Sequence, residues 1–282
     1  MSDMGEPAAR AKTGIDSSTG QELPDAAARP VLLTIAGFDP SSGAGITSDL
    51  QTFWNHGLVG VSAITSLTVQ SSRGVAAVEP VHGDLLRRTL DCLASDLRLA
   101  GVKIGMLATA EAVREVVSFL RRSAIDPNRV VLDPVLRSSS EANLLEASGV
   151  EKLRADLLPL VGWVTPNLDE LAALTGQPVP DRAAIPAQAR LLQELAVTKS
   201  GVRGLNVVVT GGHLDPPDDF LLTIGGQETW FPGTRVRARG IHGEHGTGCA
   251  FSSALLCRLV LGDAPEDAVR AAKAFVVARL GS

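Results

Sequence analysis

A glycine-rich turn near the C-terminal end carries the residues whose types and spacing best fit catalysis. Its sequence is His245-Gly246-Thr247-Gly248-Cys249, and helix-forming residues follow without a break to Leu256. Such a turn leaves backbone N–H groups unpaired at a helix N-terminus, where peptide dipoles add about half a positive charge. This pattern predicts a site for a phosphate or a transferring phosphoryl group. Cys249 falls in the first turn, where we expect the same field to lower the thiol pKa and to produce a base.

The same five residues could also form only a tight loop, with Cys249 as a small buried hydrophobe. A single glycine-rich loop is a weak signal, so the rest of the chain has to decide between the two interpretations.

Polar residues also stand at the ends of four predicted strands. They are Asp39, Gln70, Asp133 and the pair Asn167 and Glu170. Because the carboxyl ends of parallel strands share one edge of a sheet, we expect these side chains to lie beside the glycine-rich turn. Mg²⁺ binds few carboxylates together with waters and phosphates. Phosphoryl transfer then needs positioning, charge neutralisation and a modest base. The set predicts a Mg²⁺–nucleotide site.

Alternating strand and helix patterns must position these residues. The apolar β-type runs are 31–36, 60–69, 102–107, 130–132, 162–165, 206–210, 220–224 and 228–231. The helical patterns are 46–57, 84–97, 109–120, 150–158, 167–174, 187–195, a helix after the glycine-rich turn, and 265–280. This alternation predicts an α/β fold with a mostly parallel sheet and helices on both faces. Residues 30–282 are expected to form one domain, after a disordered leader over 1–29 that is poor in large apolar groups.

Two details of the helices are further expectations. Trp54 is predicted on the apolar face of the first helix, together with Ile46 and Phe53. Cys92 and Cys257 fall in helical patterns and are predicted to be core residues.

Composition excludes several classes of function. The 282 residues carry a net charge of −5, with 4% aromatic residues and no tyrosine, which argues against nucleic acid as the main partner. The three cysteines form no Cys-x-x-Cys pair, so neither a disulfide framework nor a zinc site is indicated, and a reducing compartment fits best. No apolar run reaches the roughly 18 residues of a membrane helix, and no hydrophobic signal core is seen. We expect a cytoplasmic protein without a membrane partner.

Seven segments, in order, carry a resemblance to a known family. They are Ala36-Gly-Phe-Asp-Pro-Ser-Ser-Gly-Ala-Gly45, Thr65-Ser-Leu-Thr-Val-Gln70, Lys103-Ile-Gly-Met106, Asp133-Pro-Val135, Thr165-Pro-Asn-Leu-Asp-Glu170, Gly211-Gly-His213 and His245-Gly-Thr-Gly-Cys249. Together they resemble the hydroxymethylpyrimidine/phosphomethylpyrimidine kinases of thiamine biosynthesis, in the ribokinase-like superfamily. The resemblance covers roughly residues 31–280 and implies a three-layer α/β/α architecture.

The resemblance implies a role for each matching residue. The aminopyrimidine substrate would be bound by Gln70, Gly37, Asp39, Ala44, Thr68 and Met106. The anion hole and the base would be provided by Gly246, Thr247, Gly248 and Cys249. Mg²⁺ would be organised by Asp133 and Glu170. ATP would be bound by Thr210, Gly212, Asn167 and Lys273.

The implied reaction is ATP-dependent phosphorylation of the hydroxymethyl group, and then of the monophosphate, by a homodimer. Many relatives have lysine where this chain has Thr210 and Ser139, and Arg137 replaces only one of these cations. Two alternatives therefore stay open. One is a pyridoxal-type kinase on the same fold, and the other is a catalytically silent pyrimidine-binding regulator.

Several of these residues also have a purely structural interpretation. Asn167 and Glu170 have the spacing of a capping box, which is compatible with a metal role. Asp39 and Asp49 could be caps or solvated side chains. His213 and His245 are expected to be hydrogen-bonded loop residues near the site.

Overall fold

Strands and helices alternate along the part of the chain that the structure, a computed structural model, describes. These residues are 29–71, 74–137, 143–197, 204–212, 214–238, 243 and 245–281. The strands are β1 (Val31–Phe38), β2 (Val59–Ser71), β3 (Gly74–Pro80), β4 (Leu99–Ile104), β5 (Val130–Leu132), β6 (Trp163–Val164), β7 (Asn206–Val209), β8 (Asp219–Leu222) and β9 (Glu228–Phe231). The helices are α1 (Gly45–Asn55), α2 (Gly83–Asp96), α3 (Ala110–Arg122), α4 (Ala147–Lys152), α5 (Leu168–Thr175), α6 (Ile185–Leu195), α7 (Thr247–Val260) and α8 (Pro265–Gly281).

The strands form a nine-stranded sheet in the order β3-β2-β1-β4-β5-β6-β7-β8-β9. Every pairing from β2 through β1 and β4 to β7 is parallel. The pairings of β3 with β2, β8 with β7 and β9 with β8 are antiparallel. The prediction of a mostly parallel sheet is confirmed, and so is the hairpin of β8 and β9.

Alternate side chains of each central strand face opposite layers, as the pleat of a strand requires. Leu32 and Val131 pack with Phe53 of α1, with α7 and with α8. The neighbouring residues Leu33 and Leu132 pack against α2 to α6 on the other face. Because both faces are covered, the central strands are apolar on both sides. The predicted helix–sheet–helix layering is confirmed.

Strand β3 was missed by the sequence analysis. It is Gly-Val-Ala-Ala-Val-Glu-Pro, and none of its residues is fully buried. Because it forms an antiparallel edge with no buried face, it lacks the apolar alternation that identifies a strand. Its position at the edge also accounts for the proline at its end.

Two predictions about buried residues were wrong. Trp54 is 71% exposed, since Phe53 takes the buried position beside it. Cys92 is exposed because the buried side of α2 is formed by Leu86 and Leu90, and Cys92 lies about 200° further round the helix than Leu90. Cys257 is buried, as predicted.

The helix α7 lies inside the molecule rather than on it. Its residues from Ala250 to Cys257 are all buried, and these include the hydroxyl side chains Ser252 and Ser253. A helix that is buried on all sides is fixed by the surrounding core, so its N-terminus is a rigid platform.

Within the described ranges, no helix has both the length and the apolar character that a bilayer crossing would require. The expected leader falls almost wholly on residues that lie outside the described ranges.

Candidate active site

Two glycine-rich turns touch each other at the carboxyl edge of the sheet. One connects β1 to α1, and the other leads into α7. A methyl group on Gly246 would lie 1.9 Å from the carbonyl oxygen of Gly43, and Gly246 has a φ of +76°. Only glycine fits this position, and the close approach holds the two turns together.

The turn before α7 leaves open space above the helix N-terminus. Gly246 is the N-cap, and a glycine has no side chain with which to cap the first turn. A methyl group added to Gly248 would meet no atom within 4 Å. An open space at the positive end of a helix fits a phosphate.

Cys249 is half-buried where these two turns meet. The backbone N–H of Gly45 and the carboxylate of Asp133 both lie close enough to the thiol to affect its pKa. Burial by the surrounding protein atoms, together with the charges of Asp133 and Asp49, raises the pKa of the thiol to about 12, although Lys103 opposes this. The prediction that the helix field lowers this pKa was therefore wrong, because desolvation outweighs it.

A buried ion pair lies beneath the site. The ammonium of Lys103 is 3.0 Å from both carboxylate oxygens of Asp49, and both side chains are fully buried. Burial disfavours the charged ammonium, but Asp49, Cys249 and Asp133 together outweigh this effect, and the pKa of Lys103 is raised. Asp49 also accepts hydrogen bonds from Thr34 (2.6 Å) and Ser253 (2.8 Å). The possibility that Asp49 is a cap or a solvated side chain was wrong.

Asp133 follows β5 and reaches this same charge cluster. Its Oδ2 atom accepts a hydrogen bond from Ser252 Oγ at 3.0 Å and lies 3.9 Å from the Lys103 ammonium. Burial raises the pKa of Asp133, and the nearby charge of Asp49 adds to that rise. The carboxylate is thus short of compensating positive charge.

Glu170 and Asn167 form the capping box of α5. The Asn167 side chain accepts from the backbone N–H of Glu170, and the Glu170 carboxylate accepts from that of Asn167, both at 2.9 Å. Burial and the charge of Asp133 raise the pKa of Glu170 to about 8. Two buried oxygen donors that repel each other fit a divalent cation held with waters and phosphates. Among the described residues, no cluster of three or more His, Cys, Asp or Glu side chains could hold a metal by itself.

The predicted pocket wall begins at Gly37 and Met106, which the structure brings together. A methyl group on Gly37 would lie 3.1 Å from the Met106 sulfur and 2.9 Å from Ser66 Oγ. Ala44 is the N-cap of α1, and its N–H donates to Asp39 Oδ2 at 2.9 Å. These residues border the same turn that touches Gly246.

Gln70 and Thr68 lie in β2 rather than after it, and they reach the α7 turn through His245. The Gln70 side-chain nitrogen is 2.9 Å from His245 Nε2, which is also 2.9 Å from Asp39 Oδ2. The expectation that His245 is a hydrogen-bonded loop residue is confirmed. It connects the predicted substrate side of the site to the predicted phosphate side.

The predicted nucleotide residues Thr210, Gly212 and Lys273 line one cavity of about 190 Å³, together with Thr247 and Gly248. Lys273 donates to Asp219 (2.8 Å) and to the Pro217 carbonyl (2.9 Å). Asn167 does not line this described cavity, since its side chain caps α5.

The helix α8 also holds the turn after β1. Arg279 donates to the Gly43 carbonyl at 2.9 Å and to Ser48 Oγ at 2.8 Å. The turn is therefore fixed by the last helix as well as by contact with Gly246.

Lys103 is a buried charged residue beneath the site to which the sequence analysis assigned no role. A signal was available, because a lysine between Val102 and Ile104 in an apolar strand must be buried with a partner. His213 and Ser139, which were singled out above, lie outside the described residues.

Comparison with known proteins adds independent findings. A family model described as phosphomethylpyrimidine kinase matches residues 39–281. The hydroxymethylpyrimidine/phosphomethylpyrimidine kinase of Haemophilus influenzae is 36% identical over 254 residues, which cover 88% of this chain and 90% of that protein.

Two solved structures are similar over most of the chain. The phosphomethylpyrimidine kinase of Clostridium difficile 630 has a TM-score of 0.73 at 31% identity, covering 89% of this chain and 99% of that one. The pyridoxal kinase of Staphylococcus aureus, in complex with AMP-PCP and pyridoxal, has a TM-score of 0.75 at 27% identity, covering 90% and 88%.

Proposed function

The chain belongs to the phosphomethylpyrimidine kinase family, and on that premise we propose that it phosphorylates 4-amino-5-hydroxymethyl-2-methylpyrimidine and then the monophosphate. It is an ATP-dependent kinase with the ribokinase-like fold. The observation that carries the proposal is the contact of the two glycine-rich turns, with Cys249 between them. A substrate hydroxyl and a transferring phosphoryl group would meet at that junction.

The proposed proton transfer uses Cys249 and Asp133. As the hydroxyl oxygen bonds to the γ-phosphorus of ATP and the bond to the ADP oxygen breaks, the hydroxyl proton passes to the sulfur of Cys249. The thiol's own proton passes to the carboxylate of Asp133, which lies beside it. Because its pKa is about 12, the thiol keeps its proton at neutral pH, so Cys249 would pass a proton on to Asp133 rather than act as a preformed thiolate base. Phosphoryl transfer needs only a modest base, because its transition state is loose.

The charge that develops during transfer would be stabilised by the chain's own groups. The N-terminus of α7 would face the transferring phosphoryl group, and the Lys103 ammonium lies beneath Cys249 and Asp133. Asp133 and Glu170 would hold Mg²⁺ through water, and the ion would neutralise phosphate charge. Removal of the reacting groups from water strengthens these interactions.

The substrate side rests on Gln70, whose amide can pair with the donor–acceptor edge of an aminopyrimidine. Gly37, Met106, Ala44 and Thr68 would form the walls. On the nucleotide side, Lys273 would exchange its bond to Asp219 for a phosphate contact. The homodimer and the cytoplasmic location stay predictions.

The decisive experiment is an ATP-turnover assay with the hydroxymethylpyrimidine and Mg²⁺, in which monophosphate and diphosphate products are resolved. We expect both products. Monophosphate alone would limit the proposal to the first step and would assign the defect to the cations missing at Thr210 and Ser139. Binding of the pyrimidine without turnover would support the silent regulator instead.

Pyridoxal phosphorylation is the second candidate, because a pyridoxal kinase shares the fold at a TM-score of 0.75. A kcat/KM for pyridoxal above that for the pyrimidine would favour it. The variant Gln70→Ala separates the two, since it should weaken use of the pyrimidine but leave use of pyridoxal unchanged.

A further inference from the structure

The contacts of His245 Nε2 define a hydrogen-bond chain with a fixed direction. This atom lies 2.9 Å from Asp39 Oδ2 and 2.9 Å from the Gln70 side-chain nitrogen. One imidazole nitrogen cannot donate to the first and accept from the second at the same time. The contact that fixes whether Nε2 carries a proton therefore also fixes which atom of the Gln70 amide faces it.

Asp39 determines it, because its carboxylate can only accept. Oδ1 accepts from the N–H and the hydroxyl of Ser41, at 2.8 and 2.7 Å, and Oδ2 accepts from the N–H of Ala44. Burial opposes the charge, but these donors and His245 outweigh it and keep the pKa of Asp39 below its usual value. His245 therefore carries its proton on Nε2 and donates it to Asp39.

That proton determines the orientation of the Gln70 amide. An N–H group cannot be paired with the amide NH₂, so the side chain has to present its carbonyl oxygen to His245. The oxygen and nitrogen of an amide are nearly interchangeable in position, and the surrounding network decides between them.

The contacts of Thr68 favour the same orientation. Its Oγ1 atom lies 2.9 Å from the Phe38 carbonyl oxygen and 3.2 Å from Gln70 Oε1, so in the other orientation two acceptors would compete for one hydroxyl proton. With the amide turned, the Thr68 hydroxyl donates to Phe38 and accepts from the Gln70 NH₂. The Nε2–H of His245 is then shared between Asp39 Oδ2 and the Gln70 carbonyl oxygen in a three-centre hydrogen bond, and no donor faces another donor along the chain from Asp39 to Phe38.

We infer that His245 is a positioning residue for the substrate: together with Asp39, it fixes which way round the Gln70 amide meets the pyrimidine. One lone pair of the carbonyl oxygen and one amide hydrogen stay available. The carbonyl oxygen can accept from the amino group of the pyrimidine while the amide hydrogen is donated to the neighbouring ring nitrogen, so the substrate can pair with the amide in only one orientation. The inference rests on the proposed function, because it assumes that Gln70 binds the pyrimidine.

The test compares two His245 variants of similar size, the variant Gln70→Ala, and the double variant His245→Leu with Gln70→Ala. His245→Gln keeps an N–H donor for Asp39, whereas His245→Leu removes it. We expect His245→Leu to raise the KM for the hydroxymethylpyrimidine about tenfold, with kcat and the KM for ATP within about twofold of wild type. His245→Gln should recover most of that loss.

The Gln70→Ala background distinguishes positioning of Gln70 by His245 from a purely structural role of His245. If His245 acts through Gln70, His245→Leu should have no further effect on this KM in the Gln70→Ala background. If the KM of the double variant rises by the product of the two single-variant increases, the inference is overturned. A drop in kcat with an unchanged KM would also overturn it, since that result assigns His245 to support of the glycine-rich turn.

A ¹⁵N NMR measurement of the His245 tautomer without substrate separates this inference from the proposed function. We expect the Nε2–H form, and the Nδ1–H form would overturn the hydrogen-bond assignment. A wild-type protein with the Nε2–H form that does not bind the pyrimidine would refute the proposed function and the substrate role of His245, and would leave the orientation of the amide standing.

Discussion

Removal of the Lys103 ammonium should leave two buried carboxylates without their counterion. The variant Lys103→Met keeps the length of the side chain but deletes the charge. Asp49 then loses both 3.0 Å contacts and keeps only Thr34 and Ser253. Asp133 loses its neighbouring cation at 3.9 Å as well.

The magnitude follows from burial. Two unit charges about 3 Å apart attract by about 5 kcal/mol at an effective dielectric constant of about 20. Loss of one partner of a buried pair typically destabilises a protein by about 3–5 kcal/mol, because the other charge stays buried. For a domain of this size, about 1 kcal/mol shifts the Tm by roughly 2–4 °C, so we expect a drop of about 6–20 °C.

The matched variant is Lys103→Met with Asp49→Asn. It removes both charges, and the asparagine can still bond to Thr34 and Ser253. We expect it to recover at least half of the lost free energy of unfolding, as measured by urea denaturation. Equal or greater destabilisation in the double variant would refute the reasoning, since it would mean that packing and not charge makes Lys103 essential.

Three further predictions concern the site. Cys249→Ala should lower kcat at least about 100-fold and keep the free energy of unfolding within about 1 kcal/mol of wild type. Cys92→Ala, on the surface, should change neither quantity. Near-normal turnover by Cys249→Ala would remove Cys249 from the mechanism. In Mg²⁺-free buffer, wild-type stability should contain a component that falls as pH rises from about 4.5 to about 8, because folded Glu170 keeps its proton to about 8 and the unfolded group releases it near 4.5. Urea unfolding of Glu170→Gln should lack this component, and an unchanged pH profile would contradict the raised pKa. Gly246→Ala should unfold at a lower temperature than wild type, because the added methyl group would lie 1.9 Å from a backbone oxygen. Gly248→Ala should keep the wild-type Tm and show a raised KM for ATP or a lowered kcat. Equal Tm values for the two variants would contradict the contact between the two glycine-rich turns.

The sequence predicted the elements whose apolar pattern reports their burial. The strand β7 is an example, since Asn206–Val209 is buried throughout. The sequence also predicted the capping box of α5 from the spacing of Asn167 and Glu170. Both depend on short-range rules of burial and hydrogen bonding. It did not predict β3, because an edge strand without a buried face has no pattern of that kind.

The site was predictable in composition and less so in electrostatics. That Cys249 and the residues after β1 and β5 share one edge follows from parallel strands. The direction of the Cys249 pKa shift did not follow, because it depends on how many protein atoms surround the sulfur and on buried charges at Asp49 and Asp133. Those neighbours come from distant parts of the chain, and spacing along the sequence does not reveal their distances.

The bond between Arg279 and Gly43 has a consequence for the order of events during synthesis on the ribosome. The two residues are 236 positions apart. At about 5–20 residues per second, the turn after β1 waits roughly 10–50 seconds for the arginine that holds it. The N-terminal strands can pair in that interval, but their glycine-rich turn lacks this support until the last helix has been made. A nascent chain should therefore acquire the N-terminal part of its sheet well before it acquires a competent active site.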